Sequence, residues 1–144
     1  MKNSNTKERM NSAARAQWAL TLIRLMLGII FLAHGSQKVF GLFGGSGLTA
    51  FVTWAKTLGV PPLLGYLAAI GEFVAGALLL LGIYAELGAL LGLALMVGAL
   101  YLVHAPKGFF IQHGGYEYVL TLMVSLSALI IAGPGNATLA KFRR

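Results

Sequence analysis

Four long apolar runs, at residues 17–40, 63–84, 86–105 and 116–132, dominate this sequence. A helix rising 1.5 Å per residue needs about 20 residues to cross a hydrocarbon core about 30 Å thick. Only 10% of the residues are charged, against about a quarter in soluble proteins. The sequence therefore predicts an all-α integral membrane protein, built as a four-helix bundle in the lipid bilayer.

The segment between the first two runs, residues 41–62, has a different character. A glycine-rich turn (GLFGGSG) precedes LTAFVTWAKTLG, whose apolar residues recur at helical spacing. This pattern predicts a short interfacial helix with Leu48, Phe51, Val52 and Leu58 directed toward the acyl chains. The turn lacks the preceding strand and the Gly-Lys-Ser/Thr ending of a phosphate-binding loop, so that interpretation is excluded.

The positive charge indicates topology. The formal net charge is +7, and Lys/Arg-rich flanks stay on the cytoplasmic side of a membrane. Apart from Phe142, no aromatic residue lies among the basic residues of the two tails, which argues against nucleic-acid binding. We therefore predict a basic tail at 1–16 (mobile, or the start of a surface helix), a membrane domain at 17–135, a basic tail at 136–144 and both termini in the cytoplasm. The tail cations are Lys2, Lys7, Arg9, Arg15, Lys141, Arg143 and Arg144.

Two charges lie far from the ends of the apolar runs, Arg24 in the first and Glu72 in the second. Such residues are costly in lipid and turn toward the protein interior or a partner. Counting depth from the ends of the runs places both near the same level, which predicts an Arg24–Glu72 ion pair. The pair would either neutralise two buried charges or polarise a small bound ligand.

A second polar group is predicted where the runs reach the outer boundary. It combines imidazole, amine and carboxylate side chains suited to proton transfer and to recognition of an anion or a quinone. The simpler alternatives are solvated histidines, a lysine extended toward water and an acid that only starts a helix. With no cysteine in the chain, no thiolate metal site or internal disulfide can form, and no metal site is predicted. The group consists of His34, Lys38, His104, His113 and Glu117.

Four short motifs occur in order along the chain: His34-Gly35-x-x-Lys38, Gly71-Glu72 with Gly76, Gly115-Tyr116-Glu117 and Gly133-Pro134-Gly135. Together they resemble the DoxX family of small bacterial inner-membrane proteins. The resemblance implies a four-helix membrane fold and an oxidoreductase role linked to quinone-dependent thiosulfate, thiol or oxidative-stress metabolism. It also implies soluble sulfurtransferase or superoxide dismutase partners. The NATLA sequence after Gly135 departs from the family's Ser-Leu-Asp ending.

The leading functional hypothesis is a membrane oxidoreductase component that binds a quinone or a similar small redox molecule. His34 or His104 would donate to a quinone oxygen, Lys38 would stabilise negative charge, and Glu117 would relay protons. The predicted catalytic set is His34, Lys38, Glu72 and Glu117, and the predicted cofactor-binding set is Arg24, His104 and His113. Haem ligated by His34 and His104 is disfavoured because so small a bundle leaves little volume. The alternatives are a non-catalytic scaffold for soluble redox partners and a small-anion transporter lined by Arg24 and Lys38. A homo-oligomer is compatible with each of these functions.

Overall fold

The computed structural model describes the backbone of residues 2–139 and the side chains of residues 7–139, and this part of the chain contains no β-strand. Four long helices and one short helix form it. A π-helical turn, Leu100–His104, and a 3-10 turn, Ala105–Lys107, extend the fourth helix, and 3-10 turns also lie at Leu42–Gly44 and Ile111–His113. The α-helices are α1 (Lys2–Phe40), α2 (Leu48–Thr57), α3 (Pro62–Leu81), α4 (Ala85–Ala99) and α5 (Glu117–Ala132).

Proline and glycine set most of the helix ends. Pro62 occupies the first turn of α3, where its missing N–H costs nothing. Gly82 ends α3 with a left-handed backbone (φ 66°), which glycine adopts without steric cost. Only three residues then separate α3 from α4, so the two helices form a tight hairpin. At the far end of α4, Gly108 (φ 79°) terminates the helical path.

Close contact between α1 and α3 fixes the register of the bundle. A Cβ atom on Gly28 or Gly35 of α1 would overlap the backbone of Leu80 or Phe73 of α3, and one on Gly76 would overlap Leu32. These glycines let the two helix backbones approach closely. The pairs run in opposite directions along the two helices, so α1 and α3 are antiparallel.

The helices enclose an apolar core, while many large apolar side chains face outward. Leu22, Val124 and Ile131 are 66%, 69% and 85% exposed, which lipid tolerates and water penalises. Three helices, α1, α3 and α4 with its extension, are long and apolar enough to cross a membrane, and α5 is a shorter apolar helix. This is the surface of an integral membrane protein. The buried core consists of Leu27, Phe31, Ala75, Leu79, Ala89, Met96, Val119, Leu122, Leu126 and Leu129.

The predicted helix between the first two runs is present as α2, but it packs differently from the prediction. Val52 and Ala55 are buried, and Val52 lies against Gly65 in the first turns of α3. The expectation that Val52 faces the acyl chains is therefore wrong. Because glycine at position 65 leaves room for the valine side chain, α2 uses this face to pack on α3.

Both tails continue into ordered structure where the structure describes them. The N-terminal tail is helical from Lys2 and forms the start of α1. Residues 133–139 fold back onto α1, with Gly135 against Thr21 and Thr138 buried. The side chain of Lys2, and all of Lys141, Arg143 and Arg144, lie outside the described residues.

Candidate functional site

An ion pair between α1 and α3 organises one end of the bundle. The Lys38 ammonium, in the last turn of α1, donates to the carboxylate of Glu72 in the middle of α3. The Lys38 side chain is 27% exposed and that of Glu72 only 9%. The charged pair therefore forms part of the wall of the bundle, and the carboxylate is its more deeply buried member.

The predicted Arg24–Glu72 pair is wrong, and the helix register explains why. With Gly28 opposite Leu80 and Gly35 opposite Phe73, Glu72 lies level with Ser36, about 18 Å along α1 from Arg24. The sequence-based prediction measured the depth of Glu72 in the membrane from the start of α3, and so assumed that the whole of α3 lies beside α1. In the structure the first turns of α3 extend beyond the end of α1 and pack on α2.

Arg24 lies at the opposite end of the bundle and is 1% exposed. Its Nε donates to the Pro134 carbonyl at 2.9 Å, and one terminal nitrogen donates to the carbonyls of Leu79 and Leu80. The other terminal nitrogen donates to the Ala137 carbonyl. The guanidinium thus joins α1 to the C-terminal turn of α3, where a cation is favoured by the helix dipole, and to the segment after α5.

Beside the Lys38–Glu72 pair lies a cleft of about 190 Å³. Its inner walls are apolar, and its polar groups come from four different helices or their extensions. Shallower depressions of larger volume lie on the outer faces of α2 and α1, but the cleft gathers the titratable side chains. It is lined by Ile30, Phe31, His34, Lys38, Glu72, Met96, Ala99, His104, Tyr118, Val119 and Leu122.

The cleft contains four of the predicted site residues, His34, Lys38, Glu72 and His104. His104 is oriented by a 2.7 Å contact from its Nδ1 to the carbonyl of Gly114. Since a carbonyl only accepts, Nδ1 carries the proton, and a neutral His104 keeps Nε2 as an acceptor. The orientation of this imidazole is thus set by the loop that precedes α5.

The other predicted residues have different surroundings. Glu117 accepts a 2.7 Å hydrogen bond from the backbone N–H of Ile111, so its carboxylate orders the loop and does not line the cleft. His113 is exposed in the 3-10 turn of that loop. None of Arg24, His113 and Glu117 lines the cleft, and Arg24 lies at the opposite end of the bundle from the loop that the other two share.

Comparison with known proteins shows the family of this chain. The family profile DoxX matches residues 19–105, more than half of the chain. The chain belongs to the DoxX family. This DoxX protein is also 28% identical over 101 residues to a Bacillus subtilis (strain 168) protein named "Putative oxidoreductase CatD", covering 70% of each chain. No solved structure matches it.

Sequence reasoning missed two aromatic contributors to the site of this DoxX protein. Tyr118, the second residue of α5, lines the cleft. Phe51 of α2 places its ring 5.4 Å from the Lys38 nitrogen, a cation–π contact that helps to hold the ammonium. The Tyr-Glu-Tyr sequence at 116–118 was a signal for Tyr118. Nothing in the sequence pairs Phe51 with a lysine on another helix.

The chemistry available in the cleft is that of protons and hydrogen bonds. Within residues 7–139, no three His, Cys, Asp or Glu side chains come together as a metal site. The cleft instead offers one ammonium paired with a carboxylate, two imidazoles and a phenol around an apolar interior. Such a site suits a flat apolar molecule that carries a few polar oxygens.

Proposed function

We propose that this DoxX protein is an oxidoreductase component of the bacterial inner membrane, and that its cleft binds the ring of a quinone or a similar small redox molecule. Four helices would cross the membrane, with α2 at the outer interface and both termini in the cytoplasm. The observation that carries the proposal is the cleft itself, where polar groups surround an apolar interior. The Bacillus subtilis relative is named "Putative oxidoreductase CatD", and this name supports a redox function.

The volume of the cleft suits one small ring. An apolar cavity of about 150 Å³ holds benzene in another protein, and the cleft has about 190 Å³. The ring of a small quinone is therefore of a suitable size for the cleft. The buried side chains of Phe31, Met96 and Leu122 provide the apolar contact.

Lys38 and Glu72 supply the electrostatics. An ammonium beside a ring oxygen favours the form in which that oxygen carries more negative charge, which is the direction of reduction. Glu72 keeps the ammonium in place and offsets its charge, so that the empty cleft does not attract small anions strongly. Phe51 restrains the same ammonium from the side of α2.

The histidines supply the protons. His34 lines the cleft within two turns of the C-terminal end of α1, which the proposed topology places at the outer interface, so it can exchange protons with the outer medium. His104 is fixed by Gly114 and presents Nε2, which can bind a proton and pass it on. Glu117 orders the loop that positions His104, and its predicted proton-relay role is replaced in this proposal by His34.

The reaction has to balance. Reduction of a quinone to a quinol takes two electrons and two protons. Since the chain has no cysteine, we propose a thiol or thiosulfate in another molecule as the electron source, two sulfur atoms each giving up one electron as they form an S–S bond. Soluble sulfurtransferase or superoxide dismutase partners, which the family resemblance implies, are proposed for testing by co-purification.

Other cofactors and functions fit the described residues less well. His34 and His104 both line the cleft, but about 190 Å³ does not accommodate a haem macrocycle. For an anion transporter, the two required cations are already engaged, Arg24 with four carbonyls and Lys38 with Glu72. A scaffold function would not explain why titratable side chains from several helices gather around one cleft.

The test is quinone binding to the full chain in lipid nanodiscs, measured by titration calorimetry with 2,3-dimethoxy-5-methyl-1,4-benzoquinone carrying a decyl chain. Ala99→Leu adds three carbons to the cleft wall and should weaken binding at least tenfold. Ala94→Leu adds the same carbons on an exposed face of α4 and should bind like the unchanged protein. Absence of binding, or equal binding by both variants, would refute the proposal.

A second measurement separates the enzyme from the scaffold. Thiosulfate-dependent quinone reduction is followed in membranes that contain equal amounts of the protein or its variants. Lys38→Ala and Glu72→Gln should abolish reduction, whereas Lys56→Ala, on the exposed face of α2, should not. Full activity in both cleft variants would favour the scaffold. Anion flux into proteoliposomes without redox activity would favour the transporter.

A further inference from the structure

The exposure of the lining residues tells where the cleft opens. Phe31, Glu72 and Met96 are among the buried lining residues and close its inner side. The exposed lining residues are His34 and Tyr118, one from α1 and one from α5. The opening therefore lies between these two helices, on the side of the bundle.

The helix packing agrees with an opening at this seam. α1 packs mainly on α3, and α4 packs on both α3 and α5, so α1 and α5 have the sparser contact of the bundle. The loop before α5 is closed by its own hydrogen bonds, from Tyr116 N–H to the Gly108 carbonyl at 3.0 Å and from Ile111 N–H to Glu117. Access from the side is thus less obstructed than access through the loop.

The surface of α1 next to the opening is apolar. Ile30 lies one turn from His34, and Met26 and Ile23 continue the same face toward the inner half of α1. Met26 is 58% exposed and Ile23 is 37% exposed. A hydrocarbon chain attached to a ring in the cleft can follow this face while remaining in contact with lipid.

Tyr118 lies at the opening of the cleft, and its hydroxyl can bind a ligand. Its neighbours His104, Glu117 and Thr121 are all engaged in hydrogen bonds, whereas no partner for the Tyr118 hydroxyl lies within the described range. A phenol donates one hydrogen bond without carrying charge. Because Tyr118 belongs to α5 and Lys38 to α1, the two residues can bind different oxygens of one ring in the cleft.

We infer that the substrate is a lipid-soluble ring that enters from the bilayer between α1 and α5, and that Tyr118 binds one of its two oxygens while Lys38 binds the other. The inference rests on the proposed function and adds the route of entry and one binding residue. It selects ring compounds with two opposed oxygens and a hydrocarbon tail over water-soluble ones.

Two pairs of variants test the route and the residue in nanodiscs, with the decyl quinone as probe. Tyr118→Phe keeps the ring and removes the hydroxyl, so affinity should fall about three- to tenfold, as for one lost hydrogen bond, with an unchanged unfolding midpoint. Tyr84→Phe, an exposed tyrosine between α3 and α4, is its control. Ile30→Trp should block the opening and abolish binding, and Ile29→Trp, which faces lipid, should not.

The outcomes separate the inference from the proposed function. If the unchanged protein binds neither the decyl quinone nor its tail-free analogue, the proposed function fails and the inference fails with it. If it binds while Tyr118→Phe and Ile30→Trp bind equally well, the route and the role of Tyr118 are refuted and the function stands. Equal affinity for the tail-free analogue, with Ile30→Trp unaffected, would mean entry from water.

Discussion

Removal of the Lys38 charge should destabilise the protein more than removal of the Glu72 charge. Lys38→Met leaves a carboxylate that is 9% exposed, and Glu72→Gln leaves an ammonium that is 27% exposed. Breaking a buried ion pair costs about 3–5 kcal/mol, and partial exposure lowers that value. We expect a loss of about 3 kcal/mol for Lys38→Met and about 1 kcal/mol for Glu72→Gln, because the lysine can extend toward water.

The double variant decides whether the two residues act together. Lys38→Met/Glu72→Gln removes both charges, so it should be no less stable than Lys38→Met alone, with a coupling energy of about 1–2 kcal/mol. The assay is equilibrium unfolding in mixed micelles, followed by circular dichroism. An Arg24→Lys/Glu72→Gln cycle is the control and should be additive within about 0.5 kcal/mol. Additive losses for Lys38 and Glu72 would refute the pairing.

Three further predictions follow from the packing and the topology. Arg24→Lys keeps the charge, but a lysine cannot reach all four carbonyls, so the unfolding free energy should fall by about 2–4 kcal/mol. Proteases should also cleave residues 133–139 faster, and unchanged cleavage would contradict this. Gly76→Ala should prevent stable folding because its Cβ overlaps α1, whereas Gly98→Ala meets nothing within 4 Å and should be neutral or stabilising in thermal unfolding. In this cysteine-free chain, an impermeant maleimide should label Gln112→Cys in intact cells and Ser12→Cys only after lysis; the reverse pattern would invert the topology.

The apolar runs predicted where the helices lie, although α1 begins at Lys2 and α3 ends at Leu81 instead of at the predicted residues 17 and 84. Pro62 at the start of α3, Gly82 at its end and Gly108 after α4 are conformational constraints that act within a few residues, so the sequence displays them directly. The same holds for the apolar runs, since any helix of that length and composition is accommodated by lipid. These elements required no knowledge of which helix touches which.

The candidate site depended on contacts between helices, and there prediction was less complete. The outer group was expected to include His113 and Glu117, but a loop hydrogen bond occupies Glu117 and the 3-10 turn leaves His113 exposed. Glu72 was assigned the wrong partner because the glycine contacts between α1 and α3 fix a register in which Glu72 lies about 18 Å along α1 from Arg24. Glycines are visible in a sequence, but the residues they meet are set by the three-dimensional packing of both helices.

The Arg24 contacts also constrain how the protein is made. Two of the carbonyls that Arg24 binds, those of Pro134 and Ala137, are synthesised after all five α-helices of the described chain. The cation on the first helix therefore enters the bilayer before its full set of acceptors exists. Chains that stop before residue 134 would retain an incompletely solvated guanidinium in lipid, which gives membrane proteases a basis for separating unfinished copies from finished ones.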